Sequence, residues 1–222
     1  MLNVLYEDNH VIAVLKPAGV PIQTEAKGRE TLLDQVKKYL KEKYKKPGNV
    51  FLGLLHRLDQ PVSGIILFAK TSKGAARLSE QFRNHEVVKT YHALVEGKLS
   101  GKKGTLVHYL KKDEEQKRSL ISETLVEGYQ NAELEYEVVE EGKENSILKI
   151  NLKTGRYHQI RSQFSAIGHP IVGDVKYGAK KSFQDGHIAL CATELKFKTA
   201  TTNEEVSLKI DYPDEWNQQK SA

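Results

Sequence analysis

The run at residues 56–64 carries the residue types best suited to chemistry in this sequence. It reads His-Arg-Leu-Asp-Gln-Pro-Val-Ser-Gly and leads directly into an apolar segment at 65–69. Side chains alternate along an extended segment, so Arg57 and Asp59 share one face while Leu58 points into a core. A guanidinium beside a carboxylate, just ahead of a turn, keeps the aspartate ionised and suits it to act as a nucleophile or base.

An aspartate at this position also has a purely structural interpretation. Asp59 could cap the turn that follows it, and Arg57 could form a surface ion pair worth about 0–1 kcal/mol. A second polar cluster at 152–161 favours the chemical interpretation, because it opens a helix and holds more polar side chains than capping requires. Arg161, four residues after Tyr157, falls on or beside the inward face of that helix. A buried guanidinium needs a carboxylate partner, and Asp59 can serve as one.

Several common catalytic and binding motifs are absent from the sequence. The His-Arg-Leu-Asp order differs from the His-Arg-Asp loop of kinases, and no Asp-Phe-Gly follows. The sequence contains neither a phosphate loop nor a G-x-G-x-x-G fingerprint. Its histidines form no H-E-x-x-H pattern, which leaves a zinc site without support. Ser63 lacks the G-x-S-x-G elbow of an esterase. We therefore expect an active site built on one aspartate, with no metal and no cofactor.

Composition narrows the class of protein. The chain has 222 residues, of which 39% are hydrophobic and 28% charged, as in globular proteins. Its apolar runs are too short to span a bilayer, and its N-terminus lacks the pattern of a signal peptide. Cys191 is the single cysteine, so an intrachain disulfide is impossible and we expect a cytoplasmic location. A formal charge of +5 points mildly toward nucleic acid.

Hydrophobic periodicity predicts an α+β fold, with a mostly antiparallel mixed sheet flanked by helices. Helices are expected after the capping box of Thr31 and Asp34, from Ser72 to Asn84, and across 157–167. Strands are expected at 2–6, 11–16, 52–59, 64–70, 90–96, 132–139, 148–152, 188–198 and 204–210, with a basic loop or hairpin at 98–118. No break in composition marks a domain boundary.

Five segments together resemble a known family. The pattern His-Arg-Leu-Asp-x-x-x-Ser-Gly at 56–64 is similar to the catalytic motif of RNA pseudouridine synthases of the RluA type. The others are the N-terminal hairpin with Lys-Pro-Ala-Gly at 4–20, Lys-Thr-Tyr-His-Ala-Leu-Val-x-Gly at 89–97, Thr-Gly-Arg-x-His-Gln-Ile-Arg at 154–161 and Gly-His-Pro-Ile-x-Gly-Asp-x-x-Tyr-Gly at 168–178. Each motif alone is weak, but five in family order are specific.

The resemblance implies an isomerase that converts a specific uridine of rRNA or tRNA to pseudouridine after the base is flipped out. It implies that Asp59 is the catalytic aspartate, that Arg161 is its salt-bridge partner and that Tyr91 stacks on the target base. Arg57 resembles the arginine that fills the vacated place in the RNA stack. Ile160 resembles the apolar residue that packs beside the bound base.

The resemblance also implies the organisation of the molecule. Residues 1–222 are expected to form a single catalytic domain with a central RNA-binding cleft and no separate N-terminal RNA-binding domain. The expected partner is RNA, bound through the basic helix face at 37–45 and the segment 98–118. We expect a monomer that uses no nucleotide cofactor and binds no membrane. Val62 and Cys191 depart from the residues common in the family.

Two other functions remain open at the level of sequence. One is a non-catalytic RNA-binding protein that retains the synthase fold, although the presence of Asp59, Tyr91 and Arg161 argues against it. The other is a carboxylate-dependent hydrolase of nucleosides or glycosides. Such hydrolases usually pair two carboxylates, and the sequence identifies no specific second carboxylate for Asp59.

Overall fold

The elements of the fold alternate many strands with a few helices. The structure, a computed structural model, describes residues 2–23, 28, 30–183 and 185–218. In chain order the strands are β1 (Val4–Glu7), β2 (Val11–Lys16), β3 (Gly53–Leu54), β4 (Ser63–Ala69), β5 (Val88–Glu96), β6 (Lys103–Asp113), β7 (Arg118–Ser122), β8 (Gln130–Glu141), β9 (Asn145–Leu152), β10 (Leu190–Lys198) and β11 (Glu205–Lys209). The helices are α1 (Leu32–Lys43), α2 (Ser72–Arg83), α3 (Gln159–Ala166) and α4 (Glu215–Gln218), with a 3-10 helix at Val175–Tyr177.

This architecture confirms the predicted α+β class. Strand pairs such as β2 with β4, β5 with β9 and β8 with β9 are antiparallel. Within the described residues, no helix is both long and apolar enough to cross a bilayer. By packing, the chain divides into two compact units, Met1–Val87 with Glu194–Ile210 and Val88–Thr193 with Asp211–Ala222.

The first unit contains β1, β2 and β4, which are neighbours in that order, with β3 beside β4. It also contains β10 from Glu194 onward, with β11 beside it. Strands β2 and β4 are apolar on both faces, as expected for strands covered on both sides. Their residues Val11, Ala13, Ile65 and Leu67 share a core with Leu78 of α2. Each buried Val, Leu or Ile side chain of this core contributes about 1.5–3 kcal/mol.

Helix α1 of the first unit begins at the capping box that the sequence predicts. The Thr31 hydroxyl accepts the Asp34 N–H, and the Asp34 carboxylate accepts the Thr31 N–H. Leu32, Val36 and Leu40 recur at helical spacing and are buried, so the opposite face carries the lysines toward solvent.

The second unit is built on the strand order β5-β9-β8-β6-β7. Strands β8 and β9 contain two of the predicted strands and form a hairpin, with Leu134 opposite Leu152 and Tyr136 opposite Ile150. Helix α3 packs against β6 and β7. The strands β6 and β7 show that the basic segment at 98–118 forms a hairpin, one of the two alternatives for it.

Two predicted boundaries are wrong for local reasons. The strand expected at 52–59 ends at Leu54, because the His56 imidazole, and not a backbone carbonyl, accepts the next N–H of β4, that of Leu67 at 3.0 Å. The third helix begins at Gln159 and not at Tyr157, because His158 has a left-handed backbone conformation, with φ of 49°.

Candidate active site

Asp59 opens a tight turn in the first unit. The Val62 N–H donates to the Asp59 carbonyl at 3.0 Å, which closes the turn. Leu58 is 7% exposed, whereas Arg57 is exposed and Asp59 is half-buried. The predicted division of these side chains between core and solvent is therefore present, although the segment that carries them is not a strand.

Lys16, at the end of β2, fixes this turn through hydrogen bonds to backbone carbonyl groups. Its side chain has 0% exposure, and its Nζ donates to the carbonyl oxygens of Pro17 at 3.0 Å, Gln60 at 3.0 Å and Val62 at 2.7 Å. Burial lowers the pKa of Lys16 to about 8, while the charge of Asp59 acts in the opposite direction. The turn is thus fixed by a buried ammonium whose charge acts on the carboxylate.

His56 fastens the start of the same segment to the sheet. Its Nε2 accepts the Leu67 N–H of β4, so this nitrogen carries no proton. Its ring stacks on Phe82 of α2, with ring centroids 5.0 Å apart and planes 24° from parallel. His56 therefore has a supporting role, which its place beside Arg57 in the motif does not reveal.

Tyr91 and Ile160 lie in the second unit. Tyr91 is on β5, directly opposite Ile150 of β9, and is 8% exposed. Ile160 is on the first turn of α3 and is 5% exposed. Both side chains are thus largely buried.

Arg161, on α3, pairs with a carboxylate other than the predicted one. Its Nε donates to Oδ2 of Asp174 at 2.7 Å, and its Nη2 donates to Oδ1 at 2.9 Å. The two side chains are 6% and 2% exposed. The only sequence signal for Asp174 was its place in the Gly-Asp-x-x-Tyr-Gly segment. The pairing of Arg161 with Asp59 stays a prediction.

The candidate residues therefore fall into two sets. Asp59 begins a turn of the first unit and Arg57 lies two residues before it. Tyr91, Ile160 and Arg161 lie on β5 and α3 of the second unit. Across the part of the chain that the structure describes, no group of three or more His, Cys, Asp or Glu side chains could hold a metal ion.

The chain is similar to known proteins of one family. A family model described as RNA pseudouridylate synthase matches residues 10–166. A tRNA pseudouridine synthase C of Vibrio parahaemolyticus is 31% identical, over 98% of this chain and 93% of its own length. An uncharacterized RNA pseudouridine synthase of Bacillus subtilis, YhcT, is 33% identical, over 96% of this chain and 69% of its own.

Solved structures show the same fold. Human RNA pseudouridylate synthase domain containing 4 matches with a TM-score of 0.79 at 21% identity, over 97% of this chain and 90% of that chain. Human RNA pseudouridylate synthase domain containing 1 matches with a TM-score of 0.75 at 25% identity, over 95% and 83%. Together with the family match, this shows that the chain belongs to the RNA pseudouridine synthases, as its RluA-type motifs indicate, and is an isomerase that acts on RNA.

Proposed function

We propose that this synthase isomerises a uridine of transfer RNA and that Asp59 is its catalytic group. The choice of transfer RNA is supported by relatives named tRNA pseudouridine synthase C, which match over 98% of this chain. Ribosomal RNA is the alternative substrate. In the reaction the bond between N1 of uracil and C1′ of ribose breaks, and C5 then bonds to C1′. N1 gains a proton and C5 releases one, so atoms balance without a further reactant.

The observation that carries this proposal is the fixed turn at Asp59. Three carbonyl oxygens around the turn accept hydrogen bonds from one buried ammonium, that of Lys16. A carboxylate presented from such a rigid support loses little orientation when substrate binds, and preorganisation of this kind lowers the barrier of a reaction. Asp59 itself stays half-buried, so a bound pyrimidine can reach it.

The remaining candidates fit the steps around the chemistry. Uracil within stacked RNA must be flipped out, at a cost of a few kcal/mol. Stacking on Tyr91 would return about 1–3 kcal/mol, and Ile160 would enclose the other side of the base. Arg57 is exposed and can occupy the vacated place in the RNA. Arg161 would supply the cation that faces the catalytic carboxylate.

We further propose that the two units act together as one catalytic domain. The family model extends from residue 10 to residue 166 and so includes parts of both units. We expect the enzyme to work as a cytoplasmic monomer and to need no cofactor, because substrate and product are isomers.

Release of tritium from C5 of labelled uridine tests the catalytic role. We expect the wild-type chain to release tritium from a tRNA transcript, and Asp59→Asn to lose at least about 1000-fold in rate while its RNA affinity stays within a few-fold. Asp185→Asn, at an exposed aspartate, is the matched control and should behave as wild type.

Each other outcome identifies a different function. Turnover retained by Asp59→Asn would refute the catalytic assignment, and RNA binding by the wild type without release would favour a non-catalytic protein. Free uracil among the products would indicate a hydrolase. Release from ribosomal RNA but not from transfer RNA would overturn the substrate class and leave the chemistry in place.

A further inference from the structure

The segment 173–178 has a rigid shape that the proposed function does not yet explain. Gly173 has φ of 88°, and a Cβ there would collide with the ring of Phe183. A 3-10 helix follows, in which the Tyr177 N–H donates to the Asp174 carbonyl at 2.9 Å. The Ala179 N–H donates to the same oxygen at 3.1 Å. The carbonyl oxygen of Asp174 therefore accepts two backbone N–H groups, which fix it in the turn.

This closed turn presents the Asp174 carboxylate to one side edge of the Arg161 guanidinium. Both carboxylate oxygens are used, one by Nε and the other by Nη2. A guanidinium has five N–H donors in a plane, and this pairing occupies two of them. The donors of Nη1 consequently point away from Asp174, in a direction that the pair fixes.

Tyr177 restrains the face of the same guanidinium. The carbon at its centre lies 5.0 Å from the centroid of the Tyr177 ring. The Tyr177 hydroxyl accepts the Ser119 N–H at 2.7 Å and lies 2.9 Å from Nδ1 of His158. Two fixed neighbours thus hold the ring that lies against Arg161.

His158 supports this arrangement without competing for Asp174. Burial, together with the nearby charges of Arg161 and Lys176, lowers the pKa of His158 to about 3. The imidazole is therefore neutral at physiological pH, and the cation that α3 directs at Asp174 is Arg161.

Stability alone is a poor explanation for such a pair. Two charges that are almost fully buried cost several kcal/mol in lost hydration, and apolar residues of similar size often serve a fold as well or better. A bidentate pair with an aromatic ring against it has a different merit, since it gives a long and flexible side chain one orientation.

We propose that Asp174 is a positioning residue for the isomerisation, which orients Arg161 by its Nε and Nη2 edge while Tyr177 holds its face. In the proposed function, the other donors of the guanidinium then face the catalytic carboxylate of Asp59. This inference rests on the proposed function, which places Arg161 in the site. It adds Asp174 and Tyr177 as residues that act through Arg161.

Single-turnover kinetics on the full chain separate positioning from folding. With enzyme in excess over labelled tRNA, a folding defect lowers the active fraction, whereas a misdirected guanidinium lowers the rate constant of the fraction that is active. We expect Asp174→Asn to lower this rate constant on the order of 100-fold, with RNA affinity within about threefold of wild type. Glu135→Gln is the control, because it removes a carboxylate that pairs with Lys153 at the surface.

A double variant tests whether Asp174 acts through Arg161. Arg161→Lys keeps the charge but loses the fork, so Asp174 should have little left to orient. We expect the Arg161→Lys, Asp174→Asn double variant to react no more than about threefold slower than Arg161→Lys alone. Rate losses that multiply, or a rate constant of Asp174→Asn within threefold of wild type, would overturn the inference.

Asp174→Glu makes the test independent of how well the first variant folds. It keeps a buried carboxylate, moved by one methylene, and we expect a rate constant between those of wild type and Asp174→Asn. A rate constant equal to that of wild type would contradict positioning. Failure of the proposed function would look different, since wild type would then release no tritium or Asp59→Asn would remain active.

Discussion

The ammonium of Lys16 has no exposed surface and is satisfied by three backbone carbonyl oxygens of the first unit. We expect Lys16→Met to lower the free energy of unfolding by about 3 kcal/mol, because these oxygens lose their donor inside the protein. Urea denaturation measures this loss. Turnover should also fall in the folded fraction, because the turn that begins at Asp59 would no longer be fixed.

Lys73→Met is the comparison for that variant. Lys73 is exposed on α2, and surface replacements usually change stability by no more than about 0.5 kcal/mol. Equal losses in Lys16→Met and Lys73→Met would mean that the three carbonyl contacts contribute nothing.

At this scale the sequence reveals only part of the site. Arg57 and Asp59 could be recognised because a two-residue spacing beside a turn puts two charges on one side of the chain. Lys16 could not be recognised in this way, since it is one of 34 lysines and arginines and nothing local marks it as buried. Asp174 lies in a motif, but its pairing with Arg161 was hidden, because the two residues are 13 positions apart in the chain and only folding brings them together.

Among the elements, α1 is joined to β1 by the single carboxylate of Glu7. It accepts hydrogen bonds from Lys43 at 2.7 Å, Lys70 at 2.5 Å and Tyr44 at 2.7 Å. Burial by itself raises the pKa of Glu7, but the hydrogen bonds from these three residues outweigh it and bring the pKa down to about 2. The ionised form therefore ties the helix to the sheet.

We expect the stabilisation that Glu7 provides to decrease as the pH falls. Because the folded protein lowers the pKa of Glu7 below its usual value of 4.5, the stabilisation is complete above about pH 4.5 and is lost as pH falls toward 2. At pH 7 Glu7→Gln should cost about 1–2 kcal/mol, and the difference from wild type should close in acid. Urea midpoints between pH 7 and 2.5 measure it. Glu80→Gln, at an exposed site on α2, should stay parallel to wild type throughout.

Elements with a strong local signal are those that the sequence predicts well. Helix α1 has a capping box and an apolar face, and β8 and β9 alternate clearly about their turn. The early end of β3 was not predicted because it depends on a side chain. The imidazole of His56 accepts the Leu67 N–H of β4, where a longer β3 would offer a backbone carbonyl. Competition of that kind between side chain and backbone leaves no periodic trace in the sequence.

For the whole molecule, the excess of positive charge matters through its distribution. The net charge of +5 is modest, but α1 gathers lysines on the face opposite its buried leucines. Lys38 and Lys41 are exposed there, and Lys37 is half-buried. Association of this face with phosphates would release counterions, and the number released sets how steeply RNA affinity falls with salt.

Replacement of Lys37, Lys38 and Lys41 by Ala should therefore flatten the dependence of RNA affinity on salt. Each lost phosphate contact reduces the slope of log affinity against log salt by about 0.7–0.9, so we expect a reduction of about 2 for the triple variant. Filter binding of tRNA between 50 and 300 mM salt, on the order of the physiological range, measures the slope.

The control replaces Lys196, Lys198 and Lys209, three exposed lysines of β10 and β11, and removes the same charge. An equal change in both variants would mean that net charge alone is responsible, whereas an unchanged slope in the α1 variant would place the RNA path on another surface. Turnover at saturating RNA should be preserved in both, because neither triple variant alters Asp59 or the residues that support it.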